Sequence, residues 1–176
     1  VVGEFQDRLN LKILSEKDNG IYDAMNKGVQ MSRGEILYFL GSDDQLHGET
    51  ILQEIFNVFN YGKHFDVVYG NVNRFRLGNT EIKEKLAFTV SNHRVINKLK
   101  LFRYLGICHQ GIFARRELLL EGFSQEFKLA SDFNWLCQTV LDGRSFFYLN
   151  KIIANYNTTG ESSDEKKLFW ELYLWI

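Results

Sequence analysis

Two adjacent carboxylates stand where an apolar run stops: the stretch "FLGSDDQL", residues 39–46, sets Asp43 and Asp44 directly after a strand-like segment. Acids at the carboxyl end of a strand in an open α/β sheet face the crevice where such sheets bind ligands. Neighbouring side chains on a straight strand point to opposite faces, so both can serve one ligand only if the chain bends. Gly41 and Ser42 make that bend feasible. One carboxylate could then hold a hard divalent cation, Mg2+ or Mn2+, which takes oxygen ligands and diphosphates, while the other takes a ligand hydroxyl or supports the first. The simpler alternative is that one of the pair only caps the next helix.

The elements that must position these acids follow from periodicity. "LKILSE" reads as a buried strand closing at Ser15, and "EKDNG" as a turn. "IYDAMNKGVQMS" then sets Ile21, Ala24, Met25, Gly28 and Val29 at helical spacing, with Gly34 as the stop before the strand "EILYFL". Strand, helix, strand predicts a βαβ unit with a right-handed crossover. Beyond the acids, "ETILQEIFNVFN" puts Ile51, Leu52, Ile55, Phe56, Val58 and Phe59 on one helical face, and "HFDVVYGNV" supplies a further strand. From about residue 71 the pattern loosens: "RFRLGNTEIKEKLAF" suggests a hairpin and "VINKLKLFRYLG" a basic amphipathic helix. "CHQGIFARRELLLEGF" reads as strand into helix ended by Gly122, "LASDFNWLCQTVLDG" as a helix with Leu136, Val140 and Leu141 inward, and "SFFYLNKIIANYN" as a last strand. The alternation predicts an α/β fold, a mostly parallel sheet flanked by helices.

The whole chain sets the bounds. Its 176 residues, 45% hydrophobic, suit one domain with a substantial core. Lys plus Arg at 21 against Asp plus Glu at 22 gives a net charge of -1, so no global basic field recruits nucleic acid. Cys108 and Cys137 are too few and too far apart for a zinc spacing or a disulfide framework; both read as core packing in a reducing compartment, and a cytoplasmic location is expected. No run reaches the length needed to span a bilayer. A start at Val1, the absence of proline and a terminus that stops inside the apolar pattern "KKLFWELYLWI" together suggest a fragment.

The run "SEKDNGIYDAMNKGVQMSRGEILYFLGSDD" closely resembles the family 2 inverting glycosyltransferases of the GT-A fold, in which a nucleotide-binding α/β half leads into a metal-binding acidic motif often written "SDD". "HQGIFARRELLLEGFSQEFKLASDFNWLCQTVLDG" is similar to the family's acceptor-side segment, with Ser124 where an Asp is usual. "NTTGESS" resembles the family's "GGxS" segment near the diphosphate, with Thr159 replacing the first Gly. The family's opening strands, which hold much of the nucleoside, have no counterpart here, so the resemblance implies an N-terminally truncated version of the fold. On this reading residues 1–176 form one domain: a partial nucleotide-sugar and metal-binding half to residue 70, an acceptor-side half over 71–163, and the start of a C-terminal helix over 164–176.

The resemblance implies roles. Asp132 is the expected catalytic base, its pKa raised by the neighbouring Phe133 and Trp135; a helix-start carboxylate is the alternative. Asp44 with Asp43 would hold Mg2+ or Mn2+, and Asp18, Asn26 and Asp43 would lie near the nucleotide-sugar, although Asp18 suits a turn equally well. His109, Gln110, Gly160 and Ser162 fall on the acceptor and diphosphate side, with a satisfied core-edge histidine as the alternative for His109. Asp23 has no assigned role, and His47, His64 and His93 read as surface residues. Expected partners are a UDP- or GDP-sugar donor and a saccharide or lipid-linked acceptor. Family members often act in surface polysaccharide synthesis at the inner face of the bacterial cytoplasmic membrane. The basic and aromatic stretches suit peripheral membrane contact, or packing on another segment or a second subunit. A non-catalytic glycan-binding module is the competing reading. A magnesium-dependent phosphatase lacks its nucleophilic strand motif.

Overall fold

The computed structural model describes residues 10–61, 64–75, 86–87, 108–157 and 171. Its sheet runs in the order β1 (Ile36–Tyr38), β5 (Ile112–Arg115), β3 (Val67–Phe75), β6 (Phe146–Asn157), β2 (Gln45–Leu46), with β4 (Leu86–Ala87) paired to β3. Among the described residues, α1 (Ile21–Met31), α2 (Ile51–Tyr61) and α3 (Ser131–Leu141) cover it. The alternation of side chains along the central strands sorts them into two layers. Val67 and Tyr69 of β3 with Ile112 and Ala114 of β5 pack on Tyr22, Met25 and Val29 of α1 and Leu136 of α3. Val68, Phe113, Ile153 and Ala154 pack on Ile51, Ile55 and Phe59 of α2. Helices therefore flank both faces, as the alternating pattern predicts.

The sheet is mixed. β3 and β6 run parallel, whereas β1–β5, β5–β3, β6–β2 and β3–β4 are antiparallel. The expected opening βαβ unit does not form: residues 10–15 have no regular structure, and Leu11, Ile13 and Leu14 are exposed. An apolar β-branched run becomes a strand only with a partner to pack and pair against, and no described strand supplies one. The unit thus reduces to loop, helix, strand. α1 closes at Met31, before Gly34, because Ser32 turns extended and its hydroxyl donates to the Val29 carbonyl at 2.6 Å.

Other elements differ in detail. On α2 the inward stripe is Ile51, Ile55 and Phe59, one residue per turn, and Leu52 and Phe56 flank it, both more than half exposed. Leu141 likewise lies outside the stripe of Leu136 and Val140, at the exposed end of α3. The expected helix after β5 is a single 3-10 turn, Arg116–Leu119, closed by Gly122 with φ 79°. The predicted hairpin contributes the β3–β4 pairing; the predicted basic helix lies outside the described residues. Among the described residues no helix is long and apolar enough to cross a membrane.

The parallel pair β3–β6 is held at both ends. At its start Asp66 Oδ2 accepts hydrogen bonds from the Ser145 backbone N–H at 2.7 Å and its hydroxyl at 2.8 Å, while Asp66 N–H and Val67 N–H donate to the Ser145 carbonyl. Burial opposes the Asp66 charge, but the Ser145 donors, with the charges of Arg144 and His64, outweigh it and keep the carboxyl below its usual range. Midway the register shifts, Gly70 facing Leu149 and Asn71 facing Ile152, so β6 bulges. Gly70 makes the bulge possible: a Cβ there would lie 2.8 Å from the carbonyl oxygens of Leu149 and Lys151. Gly111, at the end of a 3-10 turn spanning His109–Gly111, lies against the same place, 2.8 Å from the Gly70 carbonyl by the same measure.

Two outcomes follow. Gly70→Ala forces backbone to move and should cost about 1–3 kcal/mol in urea unfolding; an unchanged midpoint would contradict the close approach. Asp66→Asn should destabilise the protein at pH 7 by about 1–3 kcal/mol, the cost of stripping charged acceptors from buried donors. Because the folded pKa of Asp66 is depressed, its contribution is present above the unfolded value of about 3.9 and fades as pH falls from there through the folded value. The variant and the parent should therefore converge in unfolding midpoint as pH falls through that folded value.

Candidate functional site

The sheet brings the two acids of the loop before β2 to the end of β6. Asp44 is 8% exposed, and its Oδ1 accepts the Asn157 backbone N–H at 2.9 Å. Asp43 Oδ2 accepts the Asn157 side-chain Nδ2–H at 2.8 Å. One residue at the last position of β6 thus clasps both carboxylates, and the bend expected at Gly41 is real: Asp44 N–H donates back to the Gly41 carbonyl. A Cβ at Gly41 would sit 2.6 Å from Asp44 Oδ2 and 3.5 Å from Asp43 Oδ1. The two oxygens that Asn157 does not take therefore lie on the same side, beside Gly41, where any larger residue would crowd Asp44.

This donor set suits a hard divalent cation. Among the described residues no group of three or more His, Cys, Asp or Glu side chains is arranged to hold a metal. Mg2+ and related ions are commonly held by one or two carboxylates, the remaining positions going to phosphate oxygens and water. Two carboxylate oxygens converging on a cleared space fit that mode.

Asp132, the second residue of α3, lies in a denser setting. Its Oδ1 accepts the Tyr22 hydroxyl at 2.8 Å and the Phe133 N–H at 2.8 Å, and its Oδ2 meets His109 Nδ1 at 2.9 Å. Both side chains of the His109–Asp132 pair keep about a fifth of their surface exposed. Burial alone would raise the Asp132 pKa, but the hydrogen bond and charge of His109, then the Tyr22 and Phe133 donors, hold it below the usual carboxylate range. The expectation of a raised pKa is therefore corrected. Phe133 contributes its backbone N–H, and Trp135 turns away to donate its indole N–H to the Leu118 carbonyl at 2.9 Å. Tyr22 in turn is pushed up by burial and by the Asp132 charge, so its hydroxyl stays a donor.

Residues 108–110 connect the two acidic centres. The Gln110 carbonyl accepts the Tyr38 hydroxyl at 2.9 Å, and the Cys108 thiol donates to the Gln110 side-chain oxygen. Burial pushes the Cys108 thiol up to about 12, and the charges of both Asp132 and Asp44 add to that rise while Arg74 opposes it. Tyr38 is likewise raised by burial and then by Asp44. Both centres thus act electrostatically on one thiol.

Other expected site residues are placed differently. Asn26 spends both ends of its amide on Phe123, donating to its carbonyl at 2.9 Å and accepting its N–H at 2.6 Å. This ties α1 to the Gly122 turn, where a Cβ would lie 2.8 Å from Asn26 Oδ1. Asp18, Glu16 and Asp23 surround Lys27 at 2.9, 2.7 and 3.0 Å, on the outer side of α1. Asp23, which sequence left without a role, also accepts the Asn19 N–H at 2.9 Å and so fixes the turn into α1. Gly160 and Ser162 lie outside the described residues, as does His93; His47 pairs with Asn155 at 3.1 Å.

Sequence reasoning missed Tyr22, Tyr38, Asn157 and Glu171. The Glu171 carboxylate accepts the N–H groups of Lys128, Leu129 and Ala130 at 3.0, 2.7 and 3.0 Å, setting the entry to the helix that carries Asp132. Tyr22 carries the one available signal, a hydroxyl at a core position, since a buried Tyr hydroxyl needs a partner.

The chain is similar to known proteins in sequence and in fold. The sequence profile of the family described as "Glycosyl transferase family 2" matches residues 2–123. A PGL/p-HBAD biosynthesis glycosyltransferase of Mycobacterium bovis is 31% identical over 164 residues, covering 88% of this chain and 57% of that protein. An uncharacterized glycosyltransferase of Mycobacterium tuberculosis is 22% identical over 151 residues, covering 85% and 55%. The chain therefore spans about half the length of the relatives it matches. Among solved structures, S. aureus TarS 1–349 superposes with a TM-score of 0.64 at 20% identity, over 89% of this chain and 46% of that one. TarS 1–349 in complex with UDP-GlcNAc superposes with 0.62 at 19% identity, over 93% and 47%. The fold is that of the GT-A glycosyltransferases, and with a profile match across most of its length the chain belongs to glycosyl transferase family 2.

Proposed function

We propose that this chain forms the catalytic core of an enzyme that moves a sugar from a nucleotide-sugar donor to a saccharide or lipid-linked acceptor, with inversion. The observation that carries the reading is the carboxylate pair that Asn157 holds together at the end of β6, with a second, charged carboxylate at Asp132. A converging carboxylate pair at a strand end suits a diphosphate-bound cation, and a paired, charged Asp132 suits activation of a hydroxyl. The UDP-GlcNAc complex of TarS makes a UDP-sugar the first donor to test, with a GDP-sugar second.

In this reading Asp44 Oδ2 and Asp43 Oδ1 hold Mg2+ or Mn2+, and Asn157 keeps the two carboxylates from swinging apart. The bound cation supplies charge that offsets the negative charge building on the departing diphosphate. Asp132, held charged by its donors, would act as the base that takes the proton from the acceptor hydroxyl as it attacks the anomeric carbon opposite the leaving group. The name of the relative from Mycobacterium bovis, a PGL/p-HBAD biosynthesis glycosyltransferase, supports a biosynthetic role, and the setting we propose is bacterial surface polysaccharide synthesis at the inner face of the cytoplasmic membrane.

Calorimetric titration of UDP into the protein, with and without Mn2+, tests the donor half of the reading. Binding should need the metal and should weaken about tenfold or more in Asp44→Ala, the loss expected when one of two protein ligands is removed. Asp43→Asn, which keeps a polar partner for Asn157, should weaken it in the same direction while the unfolding midpoint holds. Nucleotide binding indifferent to metal and to both substitutions would overturn the metal assignment. Binding of glycans with no binding of UDP or GDP would favour the non-catalytic module.

A further inference from the structure

We propose that Gln45, Asn155 and Asn73, with His47, form a row that binds the hydroxyls of the donor's sugar and so selects which sugar is accepted. The inference rests on the transferase reading and deepens it. The amides stand in one line across the sheet: Gln45 of β2 faces Asn155 of β6, and Asn155 faces Asn73 of β3. Cross-strand partners lie on the same face of a sheet, so these neighbouring strands present their amides side by side. Asparagine is disfavoured in strands, and a facing pair of them on β3 and β6 asks for a reason beyond sheet formation.

Asn155 is the centre of the row. Its Oδ1 accepts the Asn73 Nδ2–H at 3.1 Å and meets His47 Nδ1 at 3.1 Å, so the proton of that second contact resides on the imidazole. Both lone pairs of Asn155 Oδ1 are thereby used. Left over are Asn155 Nδ2, Asn73 Oδ1 and His47 Nε2, and among the described residues no hydrogen bond engages any of them. Gln45 is exposed, and its side-chain amide is equally unengaged there. Among the described residues no buried side-chain nitrogen or oxygen lacks a partner, so these free atoms reach the surface. The row thus holds itself in place and turns both donors and acceptors outward. Hydroxyls, which give and accept hydrogen bonds alike, match that mixture, and a sugar ring carries several of them on one rigid frame.

Position ties the row to the donor. Asn155 and Asn157 are two residues apart on β6, so their side chains share a face and stand about 7 Å apart. Asn157 Nδ2 holds Asp43 on that face, and Gln45 follows Asp44 directly in the chain. A diphosphate bound to a cation on Asp43 and Asp44 would therefore leave its attached sugar within one ring's reach of the row.

The test is calorimetric titration, with Mn2+ present, into the parent, Asn155→Ala and Gln45→Ala. The probes are UDP, UDP-glucose, UDP-galactose and UDP-GlcNAc, then GDP and GDP-mannose. The nucleotide-sugar that the parent binds tightest reads the row, and its free nucleotide reads the metal site. Asn155→Ala should weaken that nucleotide-sugar about tenfold or more and Gln45→Ala about threefold or more, with the free nucleotide within about twofold of the parent. Asn155→Ala should also narrow the parent's preference among sugars. Equal losses for the nucleotide with and without its sugar overturn the proposal, because the row would then serve only the metal site. A lowered urea midpoint with unchanged nucleotide-sugar affinity overturns it too, as the mark of amides that only join β3 to β6. Gln45→Ala, at an exposed and unengaged side chain, decides the matter should Asn155→Ala fail to fold. A parent that binds neither nucleotide nor nucleotide-sugar overturns the transferase reading itself, and the inference falls with it; a parent that binds them, matched by both variants, overturns the inference alone.

Discussion

A carboxylate taken out of water must be met by donors, and that requirement organises this structure around the last residue of β6. Asn157 satisfies Asp44 with its backbone N–H and Asp43 with its side-chain amide. It can do so only because β6 arrives there in register. The register depends on the parallel pairing with β3, clamped at its start by Asp66 and Ser145 and adjusted midway by a bulge that Gly70 permits. An error at either place would carry Asn157 away from the acids and leave a buried charge unmatched, a cost of several kcal/mol by the usual order of magnitude. Sheet register and acid placement are thus one constraint.

The two acidic centres are built to different ends. Asp43 and Asp44 share a single residue as anchor and keep one oxygen each turned toward the space beside Gly41. Asp132 is met by Tyr22, Phe133 and His109, drawn from three parts of the chain, and is held charged by them. The first arrangement leaves acceptor capacity for a ligand; the second keeps a carboxylate charged. The backbone of residues 108–110, which carries the Asp132 partner His109, is fixed by Tyr38 and by the glycine contact with β3. The aromatic packing of Phe123 on Tyr22, Phe39 and Trp135 supports the Asp132 side from behind.

Local signals in the chain were read well and distant ones poorly. The three α-helices, β1 and the strands after residues 65 and 145 were legible because periodicity is local, and the pair Asp43–Asp44 was legible because an apolar run ending in acids has a meaning in any α/β sheet. Strand direction was not, since whether β5 runs with or against β3 depends on pairing across some forty residues. "LKILSE" has the composition of a strand but no described partner, and composition cannot report partners. Asp132 was found by family resemblance, but its environment was misjudged by reading sequence neighbours as spatial ones. Its partners Tyr22 and His109 lie 110 and 23 residues away. Asn157 gave no signal at all, because an asparagine at a strand end becomes a clasp only when another loop delivers two acids to it.

The most direct test of the account is anomalous diffraction at the manganese edge from crystals of the protein grown with UDP and Mn2+. The account predicts one strong peak beside Gly41, within coordination distance of Asp44 and Asp43, with the diphosphate on its far side. Crystals that contain UDP but show no manganese there, or show it bound elsewhere, would contradict the assignment of the two acids on which the functional reading stands.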